Sequence, residues 1–234
     1  MADKHLSSQF DADLNLVSTK LLAMGGLVES QIESAMRALE DFDLDIVAQV
    51  IEDERKLNVM EVQIDQDISN IIARRQPAAR DLRLLMAISK TTTNLERAGD
   101  EARKIAKRIR RISPEADAHS INITEIKLSG DMAISLLHRA LDAFARLDTI
   151  AAAHLIRDDE AIDEEFRAFV RKLVSYMMED PRKIAVGLDY LSIAKAIERI
   201  GDHATNIAEF VIYVVKGTDV RHLSREQLER EALG

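Results

Sequence analysis

The segment Leu95-Glu96-Arg97-Ala98-Gly99-Asp100 returns as Ile197-Glu198-Arg199-Ile200-Gly201-Asp202, 102 residues further along a chain of 234. Two weaker likenesses precede it in the same order: Arg37-Ala38-Leu39 with Arg139-Ala140-Leu141, and Ala48-Gln49-Val50-Ile51 with Ala153-His154-Leu155-Ile156. Three ordered matches are hard to obtain by chance from amphipathic helices, so the chain reads as a duplicated unit. Pro77 lies 19 residues before Glu96 and Pro181 lies 17 before Glu198, so a small deletion separates the copies. With 3 Pro, 8 Gly and no Trp, and with Ala, Leu, Ile, Glu, Asp, Lys and Arg dominant, mostly helix formers or helix-compatible residues, the unit is helical. No polar–apolar alternation bounded by turn residues marks a strand. The predicted fold class is all-α.

Apolar spacing and breakers predict six helices. The first runs from about Asp11 to Asp41, with Leu21, Met24, Val28, Ile32, Met36 and Leu39 on one stripe. After a turn at Asp41-Phe42-Asp43 a second continues to Arg75, and a third runs to about Ile112 with Pro77 in its first turn. Three more are expected over Thr124 to Leu147, Thr149 to Met178 and Pro181 to Lys216, with Asp180-Pro181 as cap and first residue. The predicted units are 1–112, a linker 113–122, 123–217, and a charged tail 218–234 in which Ser224 to Leu233 forms a short helix.

Composition removes several function classes. There is no cysteine, which excludes disulfides, thiol chemistry and cysteine-based zinc sites. The net charge of −9 opposes binding to nucleic-acid phosphates. The one basic segment, Arg103 to Arg111, ends a helix, where cations offset the macrodipole. The start of the chain has no apolar signal segment, and the longest apolar run, Phe210 to Val215, is too short to span a bilayer. The expectation is a cytoplasmic protein without membrane insertion. No Gly-rich phosphate loop, His-Glu-x-x-His or Glu-x-x-His pair is present. His138, His154 and His203 read as surface or half-buried helix residues, and the methionines as core filler.

The repeated motif is the remaining place for chemistry. Glu and Asp four apart on a helix share a face, and Glu96/Asp100 and Glu198/Asp202 lie opposite the apolar stripes of their helices. Asn206 and Glu209 extend the second line. Each Asp follows a mid-helix Gly, which costs about 1 kcal/mol relative to Ala and calls for a close neighbour. The preceding helix of each unit supplies more oxygens: Glu54, Asn58, Glu61 and Asp65 in the first, Asp159, Glu160, Asp163 and Glu164 in the second. A turn near Pro77 sets Asn58 level with Glu96 and Glu54 level with Asp100. Two readings fit: a solvated face of Glu–Arg ion pairs, or a surface site for a hard metal ion.

The segments Ile71-Ile72-Ala73-Arg74-Arg75-Gln76-Pro77, Asp81-Leu82-Arg83, Ser175-Tyr176-Met177-Met178-Glu179-Asp180 and Val214-Val215-Lys216-Gly217, together with the doubled motif, resemble the PhoU family over nearly the whole chain. The resemblance implies two tandem, pseudo-symmetric three-helix bundles, assembled as a homodimer, and a regulator rather than an enzyme. It implies a negative regulator of phosphate uptake and of the phosphate-starvation regulon, without catalytic residues. Its implied partners are the ATP-binding subunit of a phosphate ABC transporter and a phosphate-sensing histidine kinase. It also implies divalent or iron-type metal ions at the Glu-x-x-x-Asp motifs: Glu96, Asp100, Glu198 and Asp202, with Glu61 and Asp65 repeating the spacing and Asn206 as a further ligand, to which the oxygens of the preceding helix add Asp163. The first copy has Arg103-Lys104 where the second has Thr205-Asn206, so the two sites differ. The competing reading is a metal-dependent or metal-storing helical bundle.

Overall fold

A computed structural model describes residues 8–112 and 121–233. Among them the elements are α1 (Ser8–Asp41), α2 (Leu44–Arg75), α3 (Ala79–Ile109), α4 (Thr124–Arg146), α5 (Thr149–Asp158), α6 (Glu160–Glu179), α7 (Ile184–Lys216) and α8 (Arg225–Leu233). No strand occurs among the described residues, in agreement with the predicted class. Most of the predicted linker falls on residues 113–120, outside the described residues.

Local chemistry sets the boundaries. The Asp43 carboxylate accepts from the N–H groups of Asp45 and Ile46 (2.9 and 3.1 Å) and starts α2. Asp148 does the same for α5 through Ile150 and Ala151 (3.1 and 3.0 Å). Gln76 ends α2 in the left-handed region (φ 47°), its N–H on Ile72 O. Pro77 stands in the connection, before an extended Ala78 that precedes α3, rather than in the first turn of the helix. Pro181 opens a 3-10 turn over Pro181–Lys183, capped by Asp180, that feeds α7.

The predicted fifth helix is two. Asp159 interrupts it while keeping right-handed dihedrals (φ −59°, ψ −30°), and the Ile162 N–H bonds to Asp159 O at 3.0 Å. Neither Gly nor Pro marks the spot, so apolar periodicity carried straight through it. The interruption lies where the chain passes Gly201: a Cβ there would stand 2.7 Å from Asp159 Oδ1 and 3.0 Å from Ile162 Cδ1.

Helices α1, α2 and α3 form one bundle, and α4, α5–α6 and α7 the other; α8 rests on α5 and α7. The bundles join along two antiparallel seams. In one, α1 meets α4 through reciprocal gaps: Gly25 receives Leu141, and Gly130 receives Met36. Gly25/Gly130, Met36/Leu141 and Asp43/Asp148 are each 105 residues apart, which is the true register of the repeat in this region. The Arg37/Arg139 likeness, 102 apart, is therefore shifted by about one helical turn. In the other seam α3 runs against α7, the most extensive helix pairing in the molecule. Its polar contacts step in opposite directions along the two chains: Asn94 with His203 (3.1 Å), Glu101 with Arg199 (3.4 Å), and Arg108 with Asp189 (2.9 Å).

Candidate carboxylate sites

Each bundle gathers its acidic side chains on the hairpin that carries its Glu-Arg-x-Gly-Asp motif. In the first, Arg103 bridges Glu54 on α2 and Asp100 on α3 (3.2 and 2.8 Å), which sets those two residues level. Burial raises the Glu96 carboxyl above its ordinary value, and Asp100, Glu61 and Glu54 add repulsion against partial relief from Arg97. Burial and then Asp65 raise Glu61, with Asp100 contributing. Ser89 donates to Asp65 at 3.0 Å. The register follows from Gly99, whose missing Cβ lets Leu57 and Gln31 press against α3.

In the second bundle Asp202 is pushed up to about 6 by burial, then by Glu198, Asp159 and Asp163, with Lys195 opposing. The residue as a whole is exposed, but its carboxylate is partly desolvated among like charges. Lys195 holds one Glu198 oxygen at 2.5 Å. The other, Oε2, is buried and has no hydrogen-bond partner. Such an atom is costly unless a cation or donor meets it.

Of the predicted ligands, Glu61, Asp65, Glu96 and Asp100 fall in one acidic neighbourhood, and Asp163, Glu198 and Asp202 in the other. Among the described residues no three carboxylate or imidazole groups converge into a ready coordination shell. Asn206 turns to the α3/α7 seam, where its amide donates to Asn94 Oδ1 at 3.2 Å. Arg103 with Glu54 is a Glu–Arg pair of the kind expected of a solvated face, whereas Lys195 lies outside that expectation; each sits three residues from a motif carboxylate, a spacing that discloses it.

Between the two neighbourhoods the seam forms a polar cleft of about 400 Å³. Glu101 is buried there and is met by Lys104 (2.7 Å) and Arg199 (3.4 Å). Burial drives His203 down to about 4, so its ring is neutral at physiological pH. Glu101 and His203 are repeat-equivalent positions, 102 apart, and the substitution of His for Glu makes the cleft asymmetric.

No helix among the described residues is long and apolar enough to cross a membrane.

The family model described as "PhoU domain" matches residues 21–109 and 126–211. A phosphate-specific transport system accessory protein PhoU homolog from a Burkholderia species is 59% identical over 234 residues, covering 100% of both chains. The phosphate-specific transport system accessory protein PhoU of Escherichia coli K12 is 43% identical over 232 residues, 99% of this chain and 95% of that one. The crystal structure of PhoU from Pseudomonas aeruginosa superposes with a TM-score of 0.86 at 46% identity, covering 89% of this chain and 100% of that one.

Proposed function

The chain belongs to the PhoU family, and from that premise we propose that it is a negative regulator of phosphate uptake and of the phosphate-starvation regulon. The observation that carries this reading is the end-to-end match to phosphate-transport accessory proteins, with the repeated motif in both halves. The relatives' names share the role of accessory protein to a phosphate-specific transport system. The protein acts in the cytoplasm by contact, without turnover, as a homodimer. It meets the ATP-binding subunit of the transporter and the phosphate-sensing histidine kinase through broad helix faces, and transporter state biases the kinase toward dephosphorylation. Deletion of the gene tests this. Constitutive expression of phosphate-starvation genes in phosphate-rich medium, reversed by the intact chain, is expected; normal repression in the deletion strain overturns it.

We also propose that the carboxylate neighbourhoods bind divalent or iron-type metal ions. The orphaned Glu198 Oε2 and the raised Asp202 support the second site, where an all-oxygen donor set fits a hard cation. Glu198, Asp202 and Asp163 would hold it, with Asp159 alongside. In the first, Glu96, Asp100, Glu61 and Asp65 would serve, after Arg103 yields its hold on Asp100. A metal there neutralises clustered charge and fixes each hairpin. Elemental analysis of the purified protein and of Glu198→Gln/Asp202→Asn is the check. Equal metal content in both sinks the second site, and a metal-dependent turnover activity would favour an enzyme over a regulator.

A further inference from the structure

The interruption at Asp159 has a second effect, on the face of the second bundle away from α7. Between α4 and the α5–α6 elbow lies an open groove of about 690 Å³, as large as many ligand-binding clefts. Its floor is apolar. Half-buried Met132 and exposed Ala161 line it over the core residue Leu136, and Leu128, 42% exposed, carries the Met132 stripe one turn further toward the start of α4. Asp131 stands on the α4 wall and Glu164 on the α6 wall, and among the described residues neither makes an ion pair. The two arginines at the rim are already engaged: Arg139 with Asp158 at 2.7 Å, and Arg157 with Glu229 of α8 at 3.6 Å. The groove therefore offers an apolar trough with surplus negative charge on both sides.

We propose that this groove docks a short basic amphipathic helix of a partner protein, its apolar face on Met132 and Leu128 and its Lys or Arg side chains on Asp131 and Glu164. An apolar helix face laid in a groove is a common recognition mode, and opposite charges on both walls fix its register and reject acidic segments. The site goes beyond the regulatory reading above and does not depend on metal. A second copy of this chain is the competing occupant, because the α6–α7 turn exposes Met178 and Ile184 beside Arg182 and Lys183.

The eight methionines give the experiment its local probe. The full chain, labelled with ¹³C at its methionine methyls, is titrated at physiological salt with a synthetic Leu/Lys amphipathic helix and, separately, with its Leu/Glu counterpart. The expected result is a saturable shift of the Met132 methyl by the Lys peptide alone, with Met178 unmoved. Asp131→Asn/Glu164→Gln should weaken binding at least tenfold, whereas Glu33→Gln/Asp45→Asn, which removes the same charge elsewhere, should leave it within twofold. An unmoved Met132, equal binding of the acidic peptide, or equal loss in the control variant overturns the proposal. So does concentration-dependent self-association that is abolished alike by Asp131→Asn/Glu164→Gln and by Met178→Glu, because the groove is then filled by a second copy.

Discussion

Two glycines of similar setting in mid-helix carry opposite meanings. A Cβ added at Gly26 would meet nothing within 4 Å, whereas one at Gly99 would strike Leu57 and come within 3.0 Å of Gln31 Oε1. Leu57 is buried, so its methyl can yield only by disturbing the packed core around it. Gly26→Ala is therefore expected to stabilise the protein by up to about 1 kcal/mol through helix propensity. Gly99→Ala should lose about 1 kcal/mol net, as overpacking of about 2 kcal/mol outweighs that gain. Thermal melts of the two variants should move in opposite directions; a shared direction means that packing does not explain Gly99. The Asp202 carboxyl makes a different kind of statement. Its value of about 6 in the folded chain lies above the ordinary 3.8. Below both values the group is protonated in either state and contributes nothing. As pH rises from 3.8 to about 6 only the unfolded chain ionises, so stability falls, and the full penalty is present at neutral pH. In metal-free protein, kept so by a chelator, Asp202→Asn is expected to raise the melting temperature by about 2 °C at pH 7.5, a modest value because solvent screens the exposed group, and by nothing near pH 3.5. A fall at pH 7.5 contradicts that electrostatic account.

Among elements, the caps decide how independently each helix stands. Asp43 opens a helix of 32 residues and Asp148 one of only 10, with the same geometry. Removing either carboxylate costs about 1 kcal/mol, but the loss should spread differently. Asp43→Ala should lower the global melting temperature by about 3 °C. Asp148→Ala should show first as faster hydrogen exchange over 149–158, because α5 is short and is interrupted at Asp159. Uniform protection changes across the chain in Asp148→Ala would refute a locally held α5. These elements also show what was legible in the sequence. Apolar stripes and the positions of Asp43, Asp180 and Gly217 delimit the long helices, because burial and capping are local in sequence. The Asp159 interruption is set by a neighbour 42 residues away, Gly201, and leaves no periodic trace. The acidic neighbourhoods were readable because hairpin register follows from distance to the turn. The inward turn of Asn206 was not, since its partner Asn94 lies 112 residues away across the seam.

At the scale of the molecule, the duplicated unit does not act as two separable bodies. Leu141 fills the gap at Gly25 and Met36 the gap at Gly130, so each bundle completes the packing of the other. Along the α3/α7 seam the buried polar residues Asn94, Glu101 and Asp189 each meet a side chain of the opposite bundle, Glu101 in addition to Lys104 of its own helix. Separating the halves would strip Asp189 of both its arginines, take the cross-seam contacts from Asn94 and Glu101, and expose a broad apolar face, which argues for one cooperative unfolding transition. Calorimetry should give a single peak whose calorimetric and van't Hoff enthalpies agree. Asp189 offers the sharper test, being only 7% exposed and shared by Arg108 at 2.9 Å and Arg111 at 3.6 Å. Asp189→Ala strands the Arg108 cation in the seam. Loss of a fully buried partner costs about 3–5 kcal/mol, and because Arg108 keeps some access to water the expected loss is nearer 2 kcal/mol, a drop of about 6 °C in a chain of this size. If the seam couples the bundles, that drop moves the whole peak. Were the peak to split, with one bundle melting at the original temperature, the two units would be energetically separate and the seam merely a contact between them.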